Sequence, residues 1–112
     1  MPVRQPSKST LAKYGLSLAD WQLMLARQKG RCGICGKEKE YLVIDHEHPP
    51  ISVWRKMPPK ERRKLVRRLL CAWCNGRTVP DYNTLDILRG AVRYMAAYQK
   101  RKAKWLKKST SD

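Results

Sequence analysis

The chain has 112 residues, one domain's worth, and holds no run of about 18 apolar residues that would cross a membrane. Lys and Arg number 25 against 9 Asp and Glu, for a formal net charge of +16. A domain so basic repels itself unless an anion neutralises it. Nucleic acid is the commonest such partner; a membrane surface or a solvated basic face are the alternatives.

Residues 1–13 read as a basic flexible tail with nothing to bury. They lack the apolar stretch of a secretion signal, so the expected compartment is the cytoplasm. Ser17 followed by Asp20 has the spacing of a capping box. Trp21, Met24 and Leu25 then share one face, and Gly30 supplies a left-handed stop, which predicts a helix over about 18–29. Trp21 is expected in the core.

Cys32-Gly33-Ile34-Cys35-Gly36 follows, with glycines beside the thiols where a metal knuckle has to turn tightly. Tyr41-Leu42-Val43-Ile44 is a short aromatic and β-branched run leading to Asp45-His46-Glu47-His48 and ended by Pro49-Pro50, which predicts a strand. Residues 51–64 read as a loop, with one helical turn starting near Pro59. Leu65 to Leu70 has spacing that suits a helix or a strand. A strand is expected, because a hairpin would bring the two cysteine pairs together.

Cys71-Ala72-Trp73-Cys74-Asn75 should open a short helix. Beyond Pro80, Asn83 and Asp86 offer a cap, and Leu85, Leu88, Val92 and Met95 make a helical stripe to about residue 98 that is expected to pack as core. The organisation expected is a tail over 1–13, a domain over 14–98 and a basic extension over 99–112.

The four cysteines, Cys32, Cys35, Cys71 and Cys74, form two Cys-x-x-Cys pairs with none left over. Two such pairs can close a tetrahedron of thiolates around one structural zinc; two disulfides or free thiols are the alternative. Both histidines of the chain lie in Asp45-His46-Glu47-His48. A surface turn, or an extra metal pair that stabilises it, is the bland reading, and it bears on His48 more than on His46. Arg62, Arg63, Lys64, Arg67 and Arg68 are candidate phosphate contacts, although charge runs are often only solvated faces. Trp73, inside the second pair, either packs the zinc lobe or stacks on a base.

The order Cys-x-x-Cys, a strand into Asp-His-x-His, then Leu-Leu-Cys-x-x-Cys-Asn resembles the recombination endonuclease VII branch of the HNH (ββα-metal) nucleases. The matching residues are Cys32, Cys35, Asp45, His46, His48, Leu69, Leu70, Cys71, Cys74 and Asn75. The resemblance implies a small α+β fold of the zinc-stapled treble-clef or ββα-metal type, with flanking helices. It also implies a DNA endonuclease of phage or mobile-element origin, in the host cytoplasm if phage-encoded. Asp45 and Asn75 would hold a catalytic Mg²⁺ or Mn²⁺, His46 would be the general base, and His48 would lend support. Two features depart from the pattern: Arg68 stands where the family has glycine, and the segment from Pro49 to Lys64 is longer than expected.

The residue types suit that chemistry independently. Phosphodiester hydrolysis needs a base that works near neutral pH and a cation beside the leaving oxygen. Imidazole supplies the first, and a carboxylate with an amide oxygen suits a hard ion that keeps its waters. Adjacent strand residues point to opposite faces, so Asp45 and His46 can share a site only if the strand ends or bulges there; a regular strand would pair His46 with His48. The competing function is a treble-clef zinc module that binds DNA or RNA without cutting it, and a basic ribosome-associated zinc protein is a third.

Overall fold

The computed structural model describes residues 3–109, which fall into two compact units, Met1–Pro80 and Asp81–Asp112. The first contains helices α1 (Lys8–Lys13) and α2 (Leu18–Arg27), strand β1 (Val43–His46), helices α3 (Ile51–Lys56) and α4 (Pro59–Arg62), and strand β2 (Val66–Leu70). The second is one long helix, α5 (Leu85–Ser109).

The N-terminal segment is not a tail with nothing to bury. Ser7 caps α1 by accepting from the Thr10 N–H, and α1 drives Leu11, 5% exposed, into the core beside Leu16, Trp21, Ile44 and Leu69. A single leucine in a polar stretch gives no periodic signal, yet it suffices to dock a short helix. Gly15 ends α1 at a φ of 66°, where a Cβ would collide with the Pro59 carbonyl oxygen at 2.2 Å, so only glycine permits α4 to approach this closely.

In α2 the capping box forms in full: the Ser17 hydroxyl accepts from the Asp20 N–H, and the Asp20 carboxylate accepts from the Ser17 N–H. The same carboxylate receives both arms of Arg63 at 2.8 and 3.0 Å, which ties α2 to the turn before β2. The Ser17 backbone N–H, its hydroxyl and Arg63 together hold the Asp20 carboxyl below its ordinary range. The chain leaves α2 through left-handed Lys29 and Gly30 (φ 54° and 70°), with the Gly30 N–H on the Leu25 carbonyl.

β1 and β2 form an antiparallel hairpin pairing Val43 with Leu70, Ile44 with Leu69 and His46 with Val66. The expected strand is thus present but runs on through His46. Between the last two pairs, Arg67 and Arg68 face Asp45 alone, a bulge on β2. Strand alternation sends Leu69 into the leucine–tryptophan core and its neighbour Leu70 into a second cluster with Cys32, Cys71 and Cys74. Two adjacent leucines thereby join the apolar core to the cysteine lobe.

Gln28 completes β2. Its amide nitrogen donates to the carbonyls of Arg31 and Leu69 at 2.7 and 2.8 Å, and its oxygen accepts from the Leu69 N–H at 3.0 Å. One side chain thus stands in for a neighbouring strand beside a fully buried residue.

Residues 51–64, expected as a loop with one turn, hold two short helices. In the second unit, Asp86 near the start of α5 and Lys107 and Lys108 near its end match the helix dipole. The N–H of Ile87 reaches the Thr84 hydroxyl at 3.4 Å, so Thr84 contributes a cap at the start of α5. Leu85, Val92 and Met95 are exposed, so that stripe is not the buried core expected of it. No helix among the described residues is long and apolar enough to cross a membrane.

Candidate functional site

The cysteine lobe is assembled by the knuckle before β1 and the chain leaving β2. Cys32 exchanges backbone bonds with Lys37 and Gly36, and Gly33 donates to the Leu69 carbonyl, which fixes the first pair against β2. The metal-ligating atoms of Cys32, Cys35, Cys71 and Cys74 all lie within 4.8 Å of one another, and the Cys35 and Cys71 sulfurs are 3.9 Å apart. Tetrahedral zinc with bonds near 2.3 Å needs sulfurs just under about 4 Å apart, so the lobe has the size to hold one zinc ion.

Backbone donors are already aimed at the sulfurs. The N–H groups of Cys71 and Ile34 reach Cys32 Sγ at 3.3 and 3.5 Å, and the Cys74 N–H reaches Cys71 Sγ at 3.4 Å. Burial raises the Cys32 thiol, but the N–H groups of Cys71, Ile34 and Cys35 outweigh it and bring Cys32 down to about 6. Burial and the neighbouring thiols push Cys74 up to about 12. A cluster in which one thiolate forms readily and another is strongly resisted lacks positive charge. A divalent cation at its centre would supply that charge.

At the other end of the hairpin, the bulge shapes the surroundings of Asp45. Its carboxylate is 4% exposed and receives Arg67 in a fork, Nε to Oδ2 at 2.7 Å and Nη2 to Oδ1 at 3.0 Å. Arg67, singled out as a phosphate contact, therefore spends its guanidinium on a buried carboxylate.

His46 sits in an aromatic niche. Its ring centroid lies 5.0 Å from Tyr14, 4.8 Å from Trp54 in a stacked arrangement, and 4.5 Å from His48 edge-on. Burial and the charge of His48 lower its pKa, as does Lys13, and these outweigh Ile44 and Asp45, which raise it. The pairing of His46 with His48 is the arrangement expected of a strand that continues regularly on its own side; the bulge lies in β2, opposite Asp45. Asp45 and His46 therefore project to opposite faces of β1, and Asp45 acts on His46 only as a minor charge that raises its pKa.

Asn75 lies in a π-helical turn, Cys74–Thr78, with its N–H on the Cys71 carbonyl. The helix expected at the second pair is thus a short α-turn at Ala72 and Trp73 that widens at once. Asn75 is half-buried, and its place is set by the cysteine on either side of that bond.

Of the other candidate phosphate contacts, Arg62 donates to the carbonyls of Lys13 and Trp54 and lies 4.4 Å over the Trp54 ring, and Arg63 is on Asp20. Lys64 meets Glu61 at 3.3 Å, and Arg68 is exposed. Tyr14 and Trp54, the walls of the His46 niche, were not among the candidate site residues. An aromatic in the long segment beyond Pro49-Pro50 was the only signal for Trp54.

The sequence matches the family profile of recombination endonuclease VII over residues 7–97. The chain belongs to that family. Comparisons with curated proteins and with solved structures returned no match. Membership makes this endonuclease VII relative a nuclease, an enzyme that breaks phosphodiester bonds in DNA. The matched span includes α1, both cysteine pairs, the hairpin and the first half of α5.

Proposed function

We propose that this endonuclease VII relative is an HNH-type, metal-dependent DNA endonuclease of phage or mobile-element origin, working in the cytoplasm, with a treble-clef or ββα-metal core. In this reading the four cysteines bind one structural zinc, Asp45 and Asn75 hold one Mg²⁺ or Mn²⁺, and His46 is the general base. The domain takes in α1, whose Leu11 is part of the core, and the basic residues after 98 add phosphate contacts.

The observation that carries the reading is the His46 niche. A neutral imidazole has one ring nitrogen that can accept a proton. Three rings hold the imidazole in place, and burial keeps it neutral at physiological pH. A zinc module that only binds DNA has no use for a neutral imidazole packed among three other rings.

The donor set of Asp45 and Asn75 fits a hard divalent ion. An ionised carboxylate offers about four lone-pair positions, of which the Arg67 fork takes two, and the Asn75 amide adds a neutral oxygen. Such an ion, when bound, neutralises charge on the scissile phosphate and the leaving oxygen. His46 takes the proton from the attacking water, Arg67 keeps the Asp45 carboxylate fixed, and Tyr14 and Trp54 keep bulk water from the buried faces of the imidazole.

The test is supercoiled plasmid incubated with zinc-loaded protein and Mg²⁺ or Mn²⁺. Nicked or linear product with the wild type, and its loss with His46→Ala, is expected. Equal cleavage by both proteins would take the base role from His46, and no cleavage by either despite tight DNA binding would favour the non-catalytic zinc module instead.

A further inference from the structure

Arg62 reaches both walls of the His46 niche and makes no hydrogen bond to His46 itself. Its Nη1 donates at 3.3 Å to the carbonyl of the peptide that joins Lys13 to Tyr14. Its Nη2 donates to the Trp54 carbonyl at 2.9 Å, and its guanidinium carbon lies 4.4 Å from the centroid of the Trp54 ring. The indole is therefore held by its backbone and by its face at once. Trp54 in turn stacks on His46 at 4.8 Å, with 29° between the ring planes.

The two carbonyls explain why an arginine stands here. Lys13 is the last residue of α1, and Trp54 lies in the last turn of α3. Helix C-termini leave carbonyls without partners and favour a cation. One planar group with divergent donors can cap both helices together. Lysine, a point charge on a flexible stem, holds one carbonyl at a time and cannot lie flat on an indole. Nε of Arg62 is buried without a hydrogen-bond partner, so the two carbonyls and the indole alone orientate the guanidinium. Its charge also bears on the other wall: burial raises the Tyr14 phenol above its ordinary range, and Arg62 opposes the rise. Tyr14 and Trp54 meet at 6.0 Å and both pack on the imidazole, so movement of either wall is passed to His46.

We propose that Arg62 is a positioning residue for His46: by capping α1 and α3 with one group it fixes Tyr14 and Trp54, and through them the direction in which the imidazole faces the attacking water. The proposal rests on His46 being the general base. It gives Arg62 a role distinct from the phosphate contact that its place in a basic run suggests. Trp54 and Arg62 both come from the 49–64 segment, so that long segment serves the niche.

Zinc-loaded full-length protein is assayed by single-turnover cleavage of supercoiled plasmid with Mg²⁺. Arg62→Met and Arg62→Lys are each tested alone and combined with His46→Ala. Both single variants should lose about 10- to 100-fold in maximal rate, because a displacement of roughly 1 Å suffices for that. The protein concentration giving half the maximal rate should change by less than about 2-fold. In the His46→Ala background the same substitutions should cost less than about 2-fold, since a positioning residue acts only through the group it positions. Equal losses in both backgrounds would make Arg62 a merely structural residue and overturn the proposal. So would an unchanged maximal rate with weaker DNA binding, a flatter salt slope and rescue by Arg62→Lys, the signature of a phosphate contact. A second readout needs no cleavage. In ¹H–¹³C spectra of Mg²⁺-free protein, the His46 ring signals should move in both variants while the amide signals of residues 32–35 stay in place. Unchanged His46 signals would also sink the assignment. A wild type that does not cut, or a His46→Ala protein that cuts equally well, takes the base role from His46, and the ring signals still decide whether Arg62 fixes the imidazole.

Discussion

Asp45 and Arg67 face each other across the one irregular point of the hairpin, where two residues of β2 oppose a single residue of β1. The carboxylate is buried, while the arginine side chain is 44% exposed, so the pair is desolvated on one side only. The bulge sets both Arg67 and Arg68 opposite Asp45, and it is Arg67 that reaches the carboxylate with two nitrogens. Removing a partner from a buried pair usually costs about 3–5 kcal/mol, and the exposure of Arg67 points to the lower end, about 3 kcal/mol.

Arg67→Ala should therefore destabilise the zinc-loaded protein by that amount in urea unfolding. Arg67→Lys should recover little, since an ammonium cannot reproduce the two-pronged contact. Asp45→Asn combined with Arg67→Ala should cost less than the sum of the single changes. Additivity within about 0.5 kcal/mol would mean that the two groups are not coupled.

Chelation should unfold the cysteine lobe rather than only inactivate the protein. Structural zinc contributes an apparent ~10–16 kcal/mol in small domains, more than the ~5–15 kcal/mol net stability of most. Leu70 packs in the same cluster as Cys32, Cys71 and Cys74, so β2 should be lost with the metal. Circular dichroism during chelator titration, with Cys71→Ser in parallel, checks this. An unchanged melting temperature in zinc-free protein would show that apolar packing alone holds the lobe.

DNA binding should be steeply salt-dependent, but not through every arginine of the 62–68 run. If about 6–10 phosphates are neutralised, affinity falls ~10³–10⁵-fold between 50 and 200 mM salt. Arg68→Ala should reduce the salt slope by about one phosphate while leaving stability unchanged. Arg63→Ala should do the reverse, because its guanidinium holds Asp20 and α2. Fluorescence anisotropy over a salt series, paired with urea unfolding, distinguishes the two. Similar slopes for both variants would remove Arg68 from the interface.

The capping box, both cysteine pairs and the strand before Cys71 were legible because each depends on residues within a few positions of one another. The partners of Arg63 and Arg67 were not, since a charge run reads the same whether its members meet phosphate or a carboxylate 22 or 43 residues away. Gln28 was invisible for a similar reason: an amide that completes a strand has no local signature. Leu11 and Trp54 became meaningful only when distant segments closed over Trp21 and His46. The cysteine lobe was therefore read nearly whole, and the walls of the His46 niche hardly at all.

The pH profile of cleavage tests the niche itself. A general base must be unprotonated, so the rate should rise with pH and level off above the pKa of His46. Near-complete cancellation of opposing influences, which the acidic neighbours in the sequence suggest, would leave that pKa close to its ordinary 6.5. In the structure, burial, His48 and Lys13 prevail over Ile44 and Asp45, and the net shift is downward. A lowered pKa keeps the imidazole neutral further into acid, so the midpoint of the limb should fall below about 6.5. His46→Ala should lose roughly 10²–10⁴-fold in rate, the usual worth of a positioned base. His48→Ala should lose much less, and because it removes a charge that disfavours imidazolium in its neighbour, it should move the limb to higher pH. Single-turnover cleavage from pH 5 to 8.5 for the wild type and both variants provides the measurement. A wild-type midpoint well above 6.5, or a His48→Ala limb displaced toward acid, would show that His46 is not the group whose proton controls the reaction.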